Sequence, residues 1–215
     1  VLSDELIGIV LNTLYVSTIP VFISALVGTP IALFLHLRGG RTALVFKMAF
    51  NGLIGMPTVL LGLLLYLLLS RSGPFGWLNL LYTLDAVVIG HVFLILPLYI
   101  AYVLTALEAV DPRIKELAAM FNLSALKKAS IYFREAAGGI AGAAAAAYGR
   151  AVGELGLALM LGGDIRYRTR VLTTAIAHET MLGNWDAAIQ LGVVLLAISV
   201  AISAVVTALG FRYRG

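Results

Sequence analysis

Long apolar runs, with charge confined to the gaps between them, set the pattern of this chain. Five stand out, at about 6–35, 43–69, 86–107, 136–161 and 187–211. Each meets the requirement of roughly 20 apolar residues for a helix that crosses a bilayer. The expected fold is therefore an all-α integral membrane protein of about five transmembrane helices. Pro20 and Pro30 lie in or near the end of the first run, Pro57 in the second and Pro97 in the third. An interior proline removes a backbone hydrogen bond, so kinks are predicted near Pro57 and Pro97. Runs longer than the minimum allow tilt without fixing it. The opening run is too long for a signal-peptide core and lacks a basic start, so no cleavable signal is expected.

Composition agrees with this reading. The 215 residues are 61% hydrophobic and 12% charged, with a mean hydropathy of +1.00. A soluble domain usually carries about 25% charged residues. The absence of cysteine excludes disulfides, thiolate metal sites and cysteine nucleophiles. A net charge of +4 is too small to imply nucleic acid.

The distribution of charge orients the chain. Arg38, Arg41, Lys47, Arg113, Lys115, Lys127, Lys128, Arg134, Arg212 and Arg214 fall on one side of the five runs, while Arg71, Arg166, Arg168 and Arg170 fall on the other. The positive-inside rule makes the richer side cytoplasmic. The N-terminus is then expected outside and the C-terminus inside.

The segment of about 108–135 is the long polar interruption on the cytoplasmic side. Asp111 is a good N-cap and Pro112 suits the first helical position. Ile114, Leu117, Ala118 and Phe121 recur at helical spacing and give one apolar face. Ser124 can cap a second short helix carrying Lys127 and Lys128. Such an amphipathic helix either docks in a groove of a partner or lies on the lipid headgroups.

Two further places carry chemistry. The run at 136–161 holds Gly138, Gly142, Gly149, Gly153 and Gly156 among alanines, a small-residue pattern that lets helices approach closely in lipid. Arg150 and Glu154, four apart, share a helix face. They read either as an internal ion pair or as part of a pathway or gate. The outer segment of about 162–186 starts with Gly162-Gly163. It continues with Arg166, Arg168 and Arg170, which share a face only if extended. Thr169, Thr173 and Thr174 offer neutral hydroxyl donors suited to a tetrahedral anion. The arginines fit docking of a binding protein or steering of anions; salt bridges to Asp164, Glu179 and Asp186 are the other reading. His178 is expected to serve a structural hydrogen bond, and no metal site is expected.

From Asp111 to Ile140 the chain resembles the coupling loop of ABC importer permeases, with Glu116-Leu117-Ala118 at its Glu-Ala-Ala position and Asn122 where that loop has glycine. The loop's later proline is missing. Met56-Pro-Thr-Val-Leu-Leu-Gly62, Ser70-Arg-Ser-Gly-Pro-Phe-Gly76 and Leu81-Tyr-Thr83 are similar to tungstate-type permeases. So are Gly149-Arg-Ala-Val-Gly-Glu-Leu-Gly156, Gly162-Gly-Asp-Ile-Arg166 and the stretch Thr169 to Ala177. Molybdate and sulfate permeases carry Gly-Asn-Ile-Pro-Gly where this chain has Gly163-Asp-Ile-Arg-Tyr167. His91 stands in place of an expected glutamine and Asp164 in place of an asparagine.

The resemblance implies a type I importer permease of one transmembrane domain, 1–215, in the cell membrane. It implies a second copy of the chain, two cytoplasmic ATPase subunits that use ATP and magnesium, and an extracytoplasmic oxyanion-binding protein. The chain itself needs no cofactor and is no enzyme: it has no Gly-x4-Gly-Lys-Ser/Thr loop, since Gly39-Gly-Arg-Thr42 lacks the lysine. ATPase coupling would fall to Asp111, Pro112, Ile114, Glu116, Leu117, Ala118, Phe121 and Asn122. Tungstate is the expected cargo, with molybdate or sulfate as alternatives. A membrane scaffold and an intramembrane enzyme are the rival classes. His178-Glu179 does not extend to a zinc-protease motif, and no Gly-x-Ser-x-Gly elbow is present.

Overall fold

A computed structural model describes residues 2–121 and 123–212, and the described part is helical throughout its ordered elements. The first run becomes α1 (Leu2–Arg38), which continues through Pro20 and Pro30. The second becomes α2 (Gly40–Ile54) and α3 (Thr58–Leu69), which meet at 97°. This is a corner, sharper than the expected kink, and Pro57 is its physical reason. Its fixed φ of −61° with an extended ψ of 122° ends one helix and places the residue as the cap of the next. The third run is α4 (Leu84–Glu108), capped by the Thr83 hydroxyl accepting from Ala86 N–H, and it holds Pro97 without a break.

The fourth run departs from expectation. It forms α7 (Ala137–Val152), stops at 153–155, and resumes as a short helix at 156–162 that ends in a π-helical turn, Ala158–Gly162. The fifth run is α9 (Trp185–Arg212). Between them lie α5 (Pro112–Met120), α6 (Ala125–Glu135) and α8 (Leu172–Met181). Among the described residues three helices are long and apolar enough to cross a membrane, or four if α2 and α3 form one bent span.

The core lies where α1, α3, α4, α7 and the 156–162 helix converge. Ile95, Leu107, Leu157 and Leu161 are fully buried there. α4 is the central element, and α7 approaches it closely at Gly139, where a Cβ would come within 2.4 Å of the Ala106 methyl. By contrast, α2 buries none of its residues, and the most apolar stretch of α9 buries none either. Apolar helices left bare to this degree have hydrocarbon, or another protein within it, as their surroundings.

Candidate functional site

At the end of the bundle where α4 stops, the sequence-predicted caps form as expected. The Asp111 carboxylate accepts from Arg113 N–H at 2.8 Å and starts α5, and the Ser124 hydroxyl accepts from Lys127 N–H at 3.4 Å and starts α6. The apolar face of α5 then divides. Ile114 packs on the main core, whereas Leu117 points out, as do Met120, 80% exposed, and Phe121, 72% exposed. Leu126 at the start of α6 extends this apolar knob. Glu116 is exposed beside it. Asn122 and the side chain of Ala118 lie outside the described residues. The knob is anchored to the bundle: Val110 is buried, Tyr132 packs edge-on against His36, and Lys47 bonds Glu108 at 2.6 Å.

The interruption of α7 is built from Arg150, Gly153 and Glu154. α7 ends at Val152 with Gly153 as its cap. Glu154 is 5% exposed and uses both carboxylate oxygens: one accepts from Arg150 Nη1 at 2.6 Å, the other from Leu157 N–H at 3.3 Å. Arg150 thus stands at a helix C-terminus and Glu154 at the next helix N-terminus, each charge matched to its helix dipole. The pair that the sequence placed on one continuous helix face instead bridges a gap. The Glu154 carbonyl accepts from the Thr173 hydroxyl at 3.1 Å, tying α8 to the same gap. Gly156 brings in the corner after Pro57, since a Cβ there would lie 3.5 Å from the Thr58 hydroxyl and 3.2 Å from Glu154 Oε1. Two helix interruptions, each in a separate apolar run, therefore meet at one point.

The segment 163–171 is compact rather than extended, so the three arginines do not share a face. Gly163, Asp164 and Tyr167 take positive φ, at 74°, 48° and 63°, and fold it into consecutive turns. Gly163 is required twice over, because a Cβ would also strike the Tyr82 ring at 2.7 Å. Thr169 is the internal staple: its hydroxyl donates to Gly162 O at 2.6 Å and accepts from Ile165 N–H at 2.9 Å. The Thr174 hydroxyl is engaged with the Val171 backbone. With Thr173 bonded to the Glu154 carbonyl, all three hydroxyls expected to face an anion are thus committed to the chain. Arg170 grips Asp164 with two parallel bonds of 3.0 Å, and His178 Nδ1 stands 4.0 Å from the same carboxylate. Arg166 pairs with Glu5, which holds the guanidinium proton more firmly than usual. Arg168 has no ion-pair partner among the described residues, and it lines a cleft of about 690 Å³ with Asn12, Tyr15 and Asp85.

Sequence reasoning missed several residues that hold this end together. Glu5 pairs with Arg166. Asn12 Nδ2 donates to the carbonyls of Arg168 and Arg170 at 3.2 and 3.0 Å. Tyr15 donates to Asp85 at 2.8 Å. Asn12 did carry a signal, as the one side-chain amide in the first apolar run, since a polar group in a span marks an internal partner.

Interrupted apolar helices around a partly buried ion pair, with an exposed apolar knob at one end, are the features of a multi-pass membrane protein and fit the transporter class. Residues 28–215 match the family of binding-protein-dependent transport system inner membrane components, and the chain belongs to that family. It is 37% identical over 214 residues to a probable anion ABC transporter permease protein of Haloferax volcanii, covering 97% of this chain and 90% of the relative. It is 31% identical over 207 residues to the tungstate uptake system permease protein TupB of Peptoclostridium acidaminophilum, covering 96% and 91%. It is 29% identical to the molybdenum transport system permease protein ModB of Azotobacter vinelandii, over 86% of this chain and 87% of that protein.

Proposed function

We propose that this chain is the permease subunit of an ABC importer that moves tungstate inward by alternating access. The observation that carries the reading is similarity to permeases named for tungstate uptake, one at 31% identity over 96% of this chain and another, from Campylobacter jejuni, at 38% identity over 71% of this chain. The exposed apolar knob of Leu117, Met120, Phe121 and Leu126 supports it, because a partner's groove would cover such an apolar surface on a polar loop.

In this reading the α5–α6 end is cytoplasmic and docks on a partner ATPase that binds ATP and magnesium; Asp111 and Pro112 set the start of α5, and Glu116, Leu117, Ala118, Phe121 and Asn122 meet the ATPase. A second copy of the chain covers the bare apolar helices and completes the pathway. Gly142 and Gly149 support that pairing, since a Cβ at either would meet nothing within 4 Å inside one chain. The meeting point of Arg150, Gly153, Glu154, Gly156 and Thr173 is the gate. Thr169 and Thr174 hold the outer turns that frame it. Arg168 is the cation offered to the incoming binding protein or its anion, while Arg166 and Arg170 brace the loop.

Molybdate is the second reading, favoured by the similarity to the molybdenum permease. Competitive uptake in proteoliposomes holding this chain, its ATPase and its binding protein separates the two. ATP-dependent tungstate uptake that excess molybdate and sulfate fail to suppress supports tungstate. Preference for another oxyanion moves the cargo, and no uptake by a complex that hydrolyses ATP overturns the oxyanion assignment.

A further inference from the structure

Pro20 sits inside α1, and a proline has no N–H to give. The carbonyl it would have served is that of Val16, four residues earlier, on a residue only 2% exposed. Water does not reach it, and in a bilayer each backbone polar group needs a partner within the protein. His91 of α4 supplies one, with Nδ1 2.6 Å from the Val16 oxygen. A carbonyl can only accept, so Nδ1 carries the hydrogen and Nε2 carries the lone pair. His91 is 0% exposed, and its Nε2 has no partner.

The hydroxyls of Ser17, Ser24 and Tyr148 are also buried without partners. Ser17 follows Val16, Ser24 lies two turns further along α1, and Tyr148 is on α7, which packs against both α1 and α4. A core that only had to hold one arrangement would gain by making these positions apolar or paired. In a bundle whose helices shift against each other, such groups can find partners in a second arrangement.

We propose that His91 is a positioning residue of the transport cycle, holding α1 to α4 at the carbonyl that Pro20 leaves open and making that point the pivot of α1. The bond joins two helices through a single atom at the place where α1 lacks its own internal bond, so α1 can swing there without breaking its ladder. Below the pivot, the Thr29 hydroxyl and the Tyr99 hydroxyl, 2.8 Å apart, make the next polar contact between the same two helices.

The proposal rests on the permease reading, and its test has an arm that does not. Pro20→Ala returns a backbone donor to the Val16 carbonyl, and His91→Leu removes the imidazole while keeping bulk. Thermal unfolding of the purified full chain is expected to show a lower Tm for His91→Leu and a recovery to the Pro20→Ala value in the double variant. A His91→Leu loss of the same size on both backgrounds would overturn the role of the carbonyl.

In proteoliposomes the double variant is expected to assemble and hydrolyse ATP yet lose oxyanion uptake by at least about tenfold, as one of its two states loses its footing. His91→Gln, which keeps an N–H donor, is expected to restore uptake. Full uptake by the double variant would overturn the pivot. Failure of the unaltered complex to carry any oxyanion would count against the permease reading instead, and would leave the unfolding result to decide what His91 bonds for.

Discussion

Arg150 Nη1 lies 2.6 Å from the Glu154 carboxylate across the gap in which α7 ends and the 156–162 helix begins. The guanidinium neutralises the carbonyl end of one helix and the carboxylate the amide end of the next, while each neutralises the other. Exchanging the two, Arg150→Glu with Glu154→Arg, keeps the pair and reverses both dipole contacts. The swapped chain is expected to be less stable than the native one by about 1–2 kcal/mol, read as a lower unfolding temperature. Equal melting would show that the pair alone matters and the helix ends do not.

The glycines of α7 separate by what surrounds them. Gly139→Ala drives a methyl into Ala106 and is expected to destabilise the chain by about 1–3 kcal/mol. Gly142→Ala meets nothing inside the chain and is expected to leave the monomer's unfolding unchanged. If a second copy packs on that face, Gly142→Leu should reduce the dimer fraction seen by light scattering in detergent.

Phe121 stands on the exposed knob after α5 and supports no part of the bundle's core. Phe121→Asp is expected to insert and melt as the native chain does, and to lose ATP-driven uptake, because a charge would enter an apolar groove. Co-purification of the ATPase subunit measures the same loss directly. Full uptake at normal expression would remove the knob from any role in coupling.

Arg168 and Arg170 are two residues apart and should behave oppositely. Arg170→Ala leaves the Asp164 carboxylate without its bidentate partner in a setting where both side chains are mostly buried. A loss of about 1–3 kcal/mol in stability is expected. Arg168→Ala should not change melting. It should slow uptake most at low ionic strength, where steering by charge is strongest.

The sequence revealed the elements that hydropathy and caps define. α4 lies within two residues of its expected ends, and Asp111 and Ser124 cap the helices assigned to them. It concealed the interruption at 153–155, because a window of apolar residues averages over a gap three residues wide. The spacing of Arg150 and Glu154 pointed to a shared face, and that spacing also suits a charge pair closing over a break. The arrangement of the outer arginines stayed open for a different reason. Period two describes an extended strand, but Asp164 and Tyr167 adopt left-handed backbone that no spacing rule encodes. His91 and Val16 are 75 positions apart, and only the pairing of two helices shows that one answers the other.

The corner at Pro57 has a consequence for the membrane itself. The twelve residues of α3 rise about 18 Å, against a hydrocarbon core of about 30 Å. A helix cannot stretch, so either the bilayer thins beside α3 or α2 completes the crossing at a slant. Acyl-chain length is then expected to bear on how this corner sits, through the mismatch between α3 and the hydrocarbon core.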